Sequence, residues 1–250
     1  MEEEIKLFDI EIPKLQGLLA QIVAIQSEAE FKIDPTGSIA IAEVDPAHVM
    51  MIKATARANV KVTDPVSIVV GVERLEQFLK GWTRDRYVTV SMIPERSVIF
   101  HITDGLGGGL TYTQAWVTFH TSPKVPNIQS LNGFVVGGLY FRDMLHFCGQ
   151  IDGKIVLSID REGQARISSE DGDTSVKAYL SVQGALDLPI KSGYSFDYLS
   201  MLIDAIMRSQ EHLGGGTIEI KFKDNYPCQI IHNQLGVEVT YLLSPRLEDA

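Results

Sequence analysis

The sequence predicts an α+β protein of two similar halves, each setting two helices against antiparallel strands. Two observations lead there. An amphipathic helix followed by short alternating strands recurs four times, and a proline-spaced stretch with neither pattern divides the four units two and two. A parallel α/β fold would instead alternate single strands and helices.

In the first unit Leu15, Leu18, Leu19, Ile22 and Val23 recur at helical spacing, which predicts a helix over about 12–24. Strands are expected at 31–33, 38–44 and 48–54, set off by the turn runs Asp34-Pro35-Thr36-Gly37 and Asp45-Pro46-Ala47. The second unit places Leu75, Phe78 and Leu79 on a short helix, with strands at 86–92, 97–103 and 110–119. Phe141, Met144, Leu145 and Cys148 mark the third helix, and its strands fall at 154–159, 164–169 and 174–180. In the fourth unit Leu199, Leu202, Ile203 and Ile206 give a longer helix. Ile218, Ile220 and Phe222 then alternate with Glu219, Lys221 and Lys223, as in a half-buried strand, before strands at 228–233 and 237–243. Pro123 and Pro126 fall in an extended linker. The division expected is residues 1–119, a connector over 120–130, and residues 131–250.

With 250 residues, 45% of them hydrophobic, the chain can bury a substantial core. No run approaches the roughly 18–20 apolar residues of a spanning helix, and the acidic start Met1-Glu2-Glu3-Glu4 is unlike a signal peptide. An intracellular protein is expected, cytoplasmic if archaeal and nuclear if eukaryotic. Cys148 and Cys228 are too few for a disulfide framework or zinc site and are expected as reduced thiols. The formal charge of -10 opposes nucleic-acid binding on average, but a basic face can still meet phosphates.

Catalytic readings do not gather. The glycine runs at 104–109 and 214–216 lack the strand-loop-helix context and lysine of a phosphate loop. His146 and Cys148 stand two apart on a helix and point to different faces. No metal-ligand spacing occurs among the six histidines, so no catalytic site, metal or cofactor is expected. An α+β hydrolase with its site between the halves is the competing class.

Several segments resemble the proliferating-cell-nuclear-antigen (PCNA) family of DNA sliding clamps in its archaeal form, over nearly the whole chain. They are Phe31-Lys32-Ile33-Asp34 through Asp45-Pro46-Ala47-His48-Val49, then Gly71-Val72 with Phe78-Leu79-Lys80, and above all the tail. There Asn225-Tyr226-Pro227 and Val239-Thr240-Tyr241-Leu242-Leu243-Ser244-Pro245-Arg246-Leu247-Glu248 are similar to the family's carboxyl-terminal signature. The resemblance implies a processivity factor without catalysis of its own. Such a factor is a head-to-tail homotrimeric ring of two-domain subunits, loaded around duplex DNA by a clamp loader. It tethers DNA polymerase, flap endonuclease and DNA ligase for replication and repair. A heterotrimeric or checkpoint-type ring subunit is the alternative. Edges suited to ring closure are expected at 112–119 and 174–180.

The resemblance also implies two surfaces. DNA would face Lys14, Arg74, Lys80, Arg84, Arg142 and Arg208, a sparse set for the family. Gly17, Gln21, Ala24, Gln77, His146 and Asp204 take other solvent-side helix positions. Client enzymes would insert a glutamine-and-aromatic peptide into a pocket. Its residues would be Val44, His48 and Val49, linker residues Val125, Pro126, Ile128 and Leu131, then Pro227, Leu242, Leu243, Pro245 and Leu247. The linker is about two residues shorter than the family's, with Pro123 where a larger apolar residue is common. On this reading, replacing Leu243 and Leu247 together by alanine weakens peptide binding at least about tenfold.

Overall fold

The computed structural model describes residues 3–82, 86–103, 108–118, 120–128, 131–183, 189–213, 216–234 and 236–246. Each unit is a strand running directly into a helix, followed by three strands. The first comprises β1 (Ile5–Glu11), α1 (Ile12–Ile22), β2 (Glu28–Asp34), β3 (Ser38–Val44) and β4 (Met50–Arg57), with the short β5 (Asn59–Val60) after it. The second comprises β6 (Val66–Gly71), α2 (Val72–Leu79), β7 (Tyr87–Ile93), β8 (Ser97–Thr103) and β9 (Gly109–Ala115). The third comprises β10 (Asn132–Gly137), α3 (Gly138–Cys148), β11 (Lys154–Ile159), β12 (Ala165–Asp171) and β13 (Thr174–Tyr179). The fourth comprises β14 (Ile190–Ser195), α4 (Phe196–Leu213), β15 (Thr217–Phe222), β16 (Cys228–Gln234) and β17 (Val237–Leu243).

The four leading strands, β1, β6, β10 and β14, were not among the strands expected from sequence, and they decide the topology. Each crosses to the neighbouring unit: β1 pairs with β7, β6 with β2, β10 with β15 and β14 with β11, all antiparallel. Three sheets result, in the orders β5-β1-β7-β8-β9, β10-β15-β16-β17-β4-β3-β2-β6 and β13-β12-β11-β14. The central sheet joins the two halves of the chain through β4 and β17, paired from Met50↔Leu243 to Ala56↔Val237.

Helix starts show the same equivalence. Glu11, Gly71 and Gly137 stand at the N-caps of α1, α2 and α3 without a side-chain cap. The first amides find backbone partners instead. Ile12 donates to the Arg86 carbonyl at 2.8 Å, Val72 to Ser27 at 2.9 Å, Gly138 to Gly216 at 3.3 Å and Phe196 to Gly153 at 2.8 Å. In every case the acceptor stands one residue before the strand that pairs with the helix's own leading strand. Orphan donors at a helix start need such partners.

The helices pack side by side in the order α2, α1, α4, α3. Flanked on both sides, α1 is buried along most of its length, including Gly17 and Gln21. Those two positions are therefore not solvent-side, as the helical wheel suggested. The Gln21 side chain donates to the Gly17 carbonyl at 3.3 Å, and the Tyr241 hydroxyl donates to the Gln21 carbonyl at 3.0 Å. Between α3 and α4 the Phe196 ring packs directly on the Gly149 backbone. A β-carbon at Gly149 would stand 2.1 Å from the Phe196 ring. Gly149→Ala is accordingly expected to lower stability by about 1–3 kcal/mol through overpacking, read by denaturant unfolding.

Candidate partner groove and helix face

One apolar groove of about 580 Å³ lies on the central sheet beside the segment linking β9 to β10. Its floor is a cross-strand row. Val44 on β3 pairs with Met51 on β4, and Met51 with Leu242 on β17. The turn after β3 makes one wall and is tightly held. The Asp45 carboxylate accepts from the amides of Ala47 at 3.1 Å, Val49 at 2.7 Å and Met50 at 2.6 Å. His48 there adopts a left-handed φ of 56°, and the Val49 carbonyl accepts from the Ser244 amide at 2.9 Å. Thr121, Pro123, Lys124, Pro126 and Ile128 of the linking segment form the opposite wall, and Tyr226 and Pro227 close one end.

Of the expected pocket residues, Val44, His48, Val49, Pro126, Ile128, Pro227 and Leu242 line this groove. Val125 is exposed elsewhere on the linking segment, and half-buried Leu131 and Pro245 do not line it. Leu247 lies outside the described residues. Leu243 is a correction: strand alternation sends it, with Val237, Val239 and Tyr241, into the core, where it is fully buried. The expectation resting on its replacement is withdrawn. Met50, Met51, Thr121, Pro123, Lys124, Tyr226 and Ser244 were missed. The cross-strand register that places Met51 between Val44 and Leu242 is not written in any one segment.

The linking segment is fixed where it enters. Beyond Lys32↔Ala40 the ladder between β2 and β3 stops, and the Glu43 carboxylate takes over as acceptor. Its Oε1 accepts from the Glu30 amide at 2.8 Å and lies 2.8 Å from the His120 ring Nε2. The Ser122 hydroxyl donates to the Glu30 carboxylate, which also meets Lys32 at 3.3 Å. Burial pushes the Glu43 carboxyl above its usual range, against the opposing pull of the Glu30 amide and His120. At Glu30 burial also pushes upward, but the hydrogen bonds from Ser122 and Lys32 prevail and the net shift is downward.

A raised folded-state pKa at Glu43 contributes stability below the ordinary value of 4.5 that is lost as pH rises through the shifted pKa. Glu43→Gln removes that titration. The variant is therefore expected to gain stability relative to the parent as pH rises from about 4 to 7, measured by denaturant unfolding across that range.

On the helices the basic residues do not form one array. Arg142 on α3 and Arg208 on α4 line a common hollow with Ser200, Asp204 and Met207. Lys80 is exposed just past α2, and Arg74 sits beside Glu28, Glu73 and Gln114 near β9. Lys14 is largely covered and lies 3.8 Å from Glu11, while His146 lies 3.5 Å from Asp204. Arg84 is outside the described residues. Both thiols are free and buried, and burial raises Cys148 and lifts Cys228 to about 12, far from a nucleophile's range. Among the described residues no His, Cys, Asp and Glu cluster is arranged to hold a metal, and no helix is long and apolar enough to cross a membrane.

Solved structures share this arrangement over nearly the full chain. The PCNA of A. fulgidus, solved with the C-terminal region of FEN-1 bound, superposes with a TM-score of 0.84, covering 98% of this chain and 100% of that one. The chain has the PCNA fold. The same topology is found in the PCNA of Entamoeba histolytica, with a TM-score of 0.83 and coverage of 98% of both chains. Thermococcus kodakaraensis PCNA gives 0.82, with 97% of this chain and 99% of that one covered. Identities to the three are 19%, 12% and 15%, so the likeness to PCNA is one of fold. No protein-family model and no curated relative matches the sequence.

Proposed function

We propose that the chain is one subunit of a DNA sliding clamp, a processivity factor that encircles duplex DNA and tethers replication and repair enzymes. The observation carrying this reading is that, on the PCNA fold, two of the sheet-end strands are β9 and β13, one in each half of the chain. β9 ends the five-stranded sheet and β13 ends the four-stranded one, with no strand paired beyond either among the described residues. Head-to-tail pairing of β9 with the β13 of a second copy satisfies both edges, and three such contacts close a ring. The row of four helices then lines the hole. Retention comes from topology, which accommodates a chain of net charge -10 with few basic residues on its helices.

The groove is assigned to short peptides from client enzymes such as polymerase, flap endonuclease and ligase, whose aromatic anchors fill its apolar floor. The FEN-1 segment bound to A. fulgidus PCNA supports a peptide occupant of this class. The intracellular placement follows from the DNA partner. A second reading, one member of a heterotrimeric or checkpoint-type ring, is favoured by the sparse basic set on the helices, where Lys14 is largely covered and lies 3.8 Å from Glu11. The mass of the isolated chain separates the two, since a heteromer subunit alone does not reach three copies.

Lys80, Arg84 and Arg208 are assigned transient phosphate contacts during loading and sliding, with Arg142 beside Arg208 as a further contributor. Replacing Lys80, Arg84 and Arg208 together by alanine is expected to reduce loader-dependent retention on circular DNA with the ring still assembled. The log-log salt slope of DNA association should flatten by roughly one unit for each phosphate no longer neutralised. Unchanged retention across a salt series would remove the assignment.

A further inference from the structure

We propose that Glu43 is a positioning residue for the groove: through His120 it docks the linking segment and so sets how firmly the groove holds a peptide. The proposal rests on the peptide-groove reading above. Its basis is a defined break in the sheet. β2 and β3 pair only from Asp34↔Ser38 to Lys32↔Ala40, although β2 continues back to Glu28 and β3 on to Val44. The parted strands leave ladder groups to be satisfied by side chains. Glu43 accepts the Glu30 amide at 2.8 Å, and the Gln26 side chain donates to the Val44 carbonyl at 2.8 Å.

The linking segment uses this gap. His120 reaches Glu43 and Ser122 reaches Glu30, so two residues of alternate register are tied to two neighbouring strands. The next residues, Pro123, Lys124, Pro126 and Ile128, form the groove wall. No helix or strand holds that wall among the described residues. The tie also stands beside the floor, because Glu43 immediately precedes Val44. A wall that lifts when the tie opens leaves only part of the population competent to bind, and apparent affinity falls by that fraction.

A buried carboxylate is a costly fastening. Glu43 is only 2% exposed, where a neutral side chain would be cheaper for the fold alone. Both of its hydrogen bonds converge on one oxygen, so glutamine can keep the acceptor while losing the charge. This separates placement from charge and protects the test against misfolding.

The test compares the parent with Glu43→Ala, Glu43→Gln, His120→Ala and the Glu43→Ala/His120→Ala double variant. A synthetic glutamine-and-aromatic peptide is titrated by calorimetry, and amide hydrogen exchange over residues 120–128 is followed without peptide. Expected are affinity losses of about fivefold or more for Glu43→Ala and His120→Ala, and no greater loss in the double variant. Residues 120–128 should exchange faster in all three while β17 is unchanged, and Glu43→Gln should stay within about twofold of the parent. Parent-like affinity and exchange in His120→Ala overturn the proposal, as does an affinity loss without faster exchange in 120–128. A parent that binds no peptide overturns the groove reading instead, and hydrogen exchange alone then decides whether Glu43 docks the segment.

Discussion

Lys177→Pro is expected to convert the assembled protein to single subunits of 27.7 kDa without unfolding them. The Leu180 amide donates to the Ala165 carbonyl across β12 and β13 at 2.9 Å. Strand alternation then turns the amides of Ala178 and Val176 toward β12, and those of Lys177 and Tyr179 toward the open edge. Proline at 177 removes an outward donor and spares the internal ladder, which is where a strand tolerates it. Thr113→Pro is the matching variant on β9, because the Trp116 amide donates to the Arg96 carbonyl and places the Thr113 amide outward. A lost hydrogen bond with its partner left unsatisfied costs about 1–3 kcal/mol at each interface, repeated around a closed ring. Leu139, Phe147 and Tyr179, at 58%, 65% and 59% exposed, lie on α3 and β13 and would lose their cover. Light scattering at micromolar concentration reads the outcome, and an unchanged assembled mass for both variants contradicts pairing through these edges.

The second large effect separates two adjacent leucines. Leu242→Ala is expected to weaken peptide binding at least about tenfold, or roughly 1.4 kcal/mol, because it removes the β17 side of the groove floor, next to Met51. Leu243→Ala should cost more stability, about 2–5 kcal/mol, and spare the peptide, because its side chain lies wholly in the core. Calorimetry of the peptide and denaturant unfolding of both variants provide the comparison. Equal peptide affinities for the two would remove the groove assignment.

The four helices and most of the strands that follow them were legible because their apolar positions keep a strict period. The leading strands were not, and for β1 and β14 the sequence shows why. In β1 the register shifts between Lys6 and Phe8, which breaks the alternation of Ile5, Leu7 and Ile10. In β14, Ser192, Gly193 and Ser195 leave a weak strand signal. The starts of α1, α2 and α3 lack capping side chains, since their amides are satisfied by carbonyls far away in sequence, so the usual boundary mark is missing there. The groove shows the same division. Pro227 and Leu242 stand in the tail segments that carried the resemblance, whereas Met51 enters through register and Glu43 through a gap between strands. Leu243 was assigned to the groove because adjacent positions in a motif do not reveal the face each occupies.

Encirclement of DNA is the central claim, and its most direct measurement is retention on DNA of different topology. The chain, loaded by its clamp loader onto nicked circular duplex, should co-elute with the circle through a gel-filtration column at salt concentrations that abolish ordinary phosphate contacts. A single restriction cut should release it. Equal retention on circular and linear DNA, or release from the uncut circle as salt rises, would contradict the account.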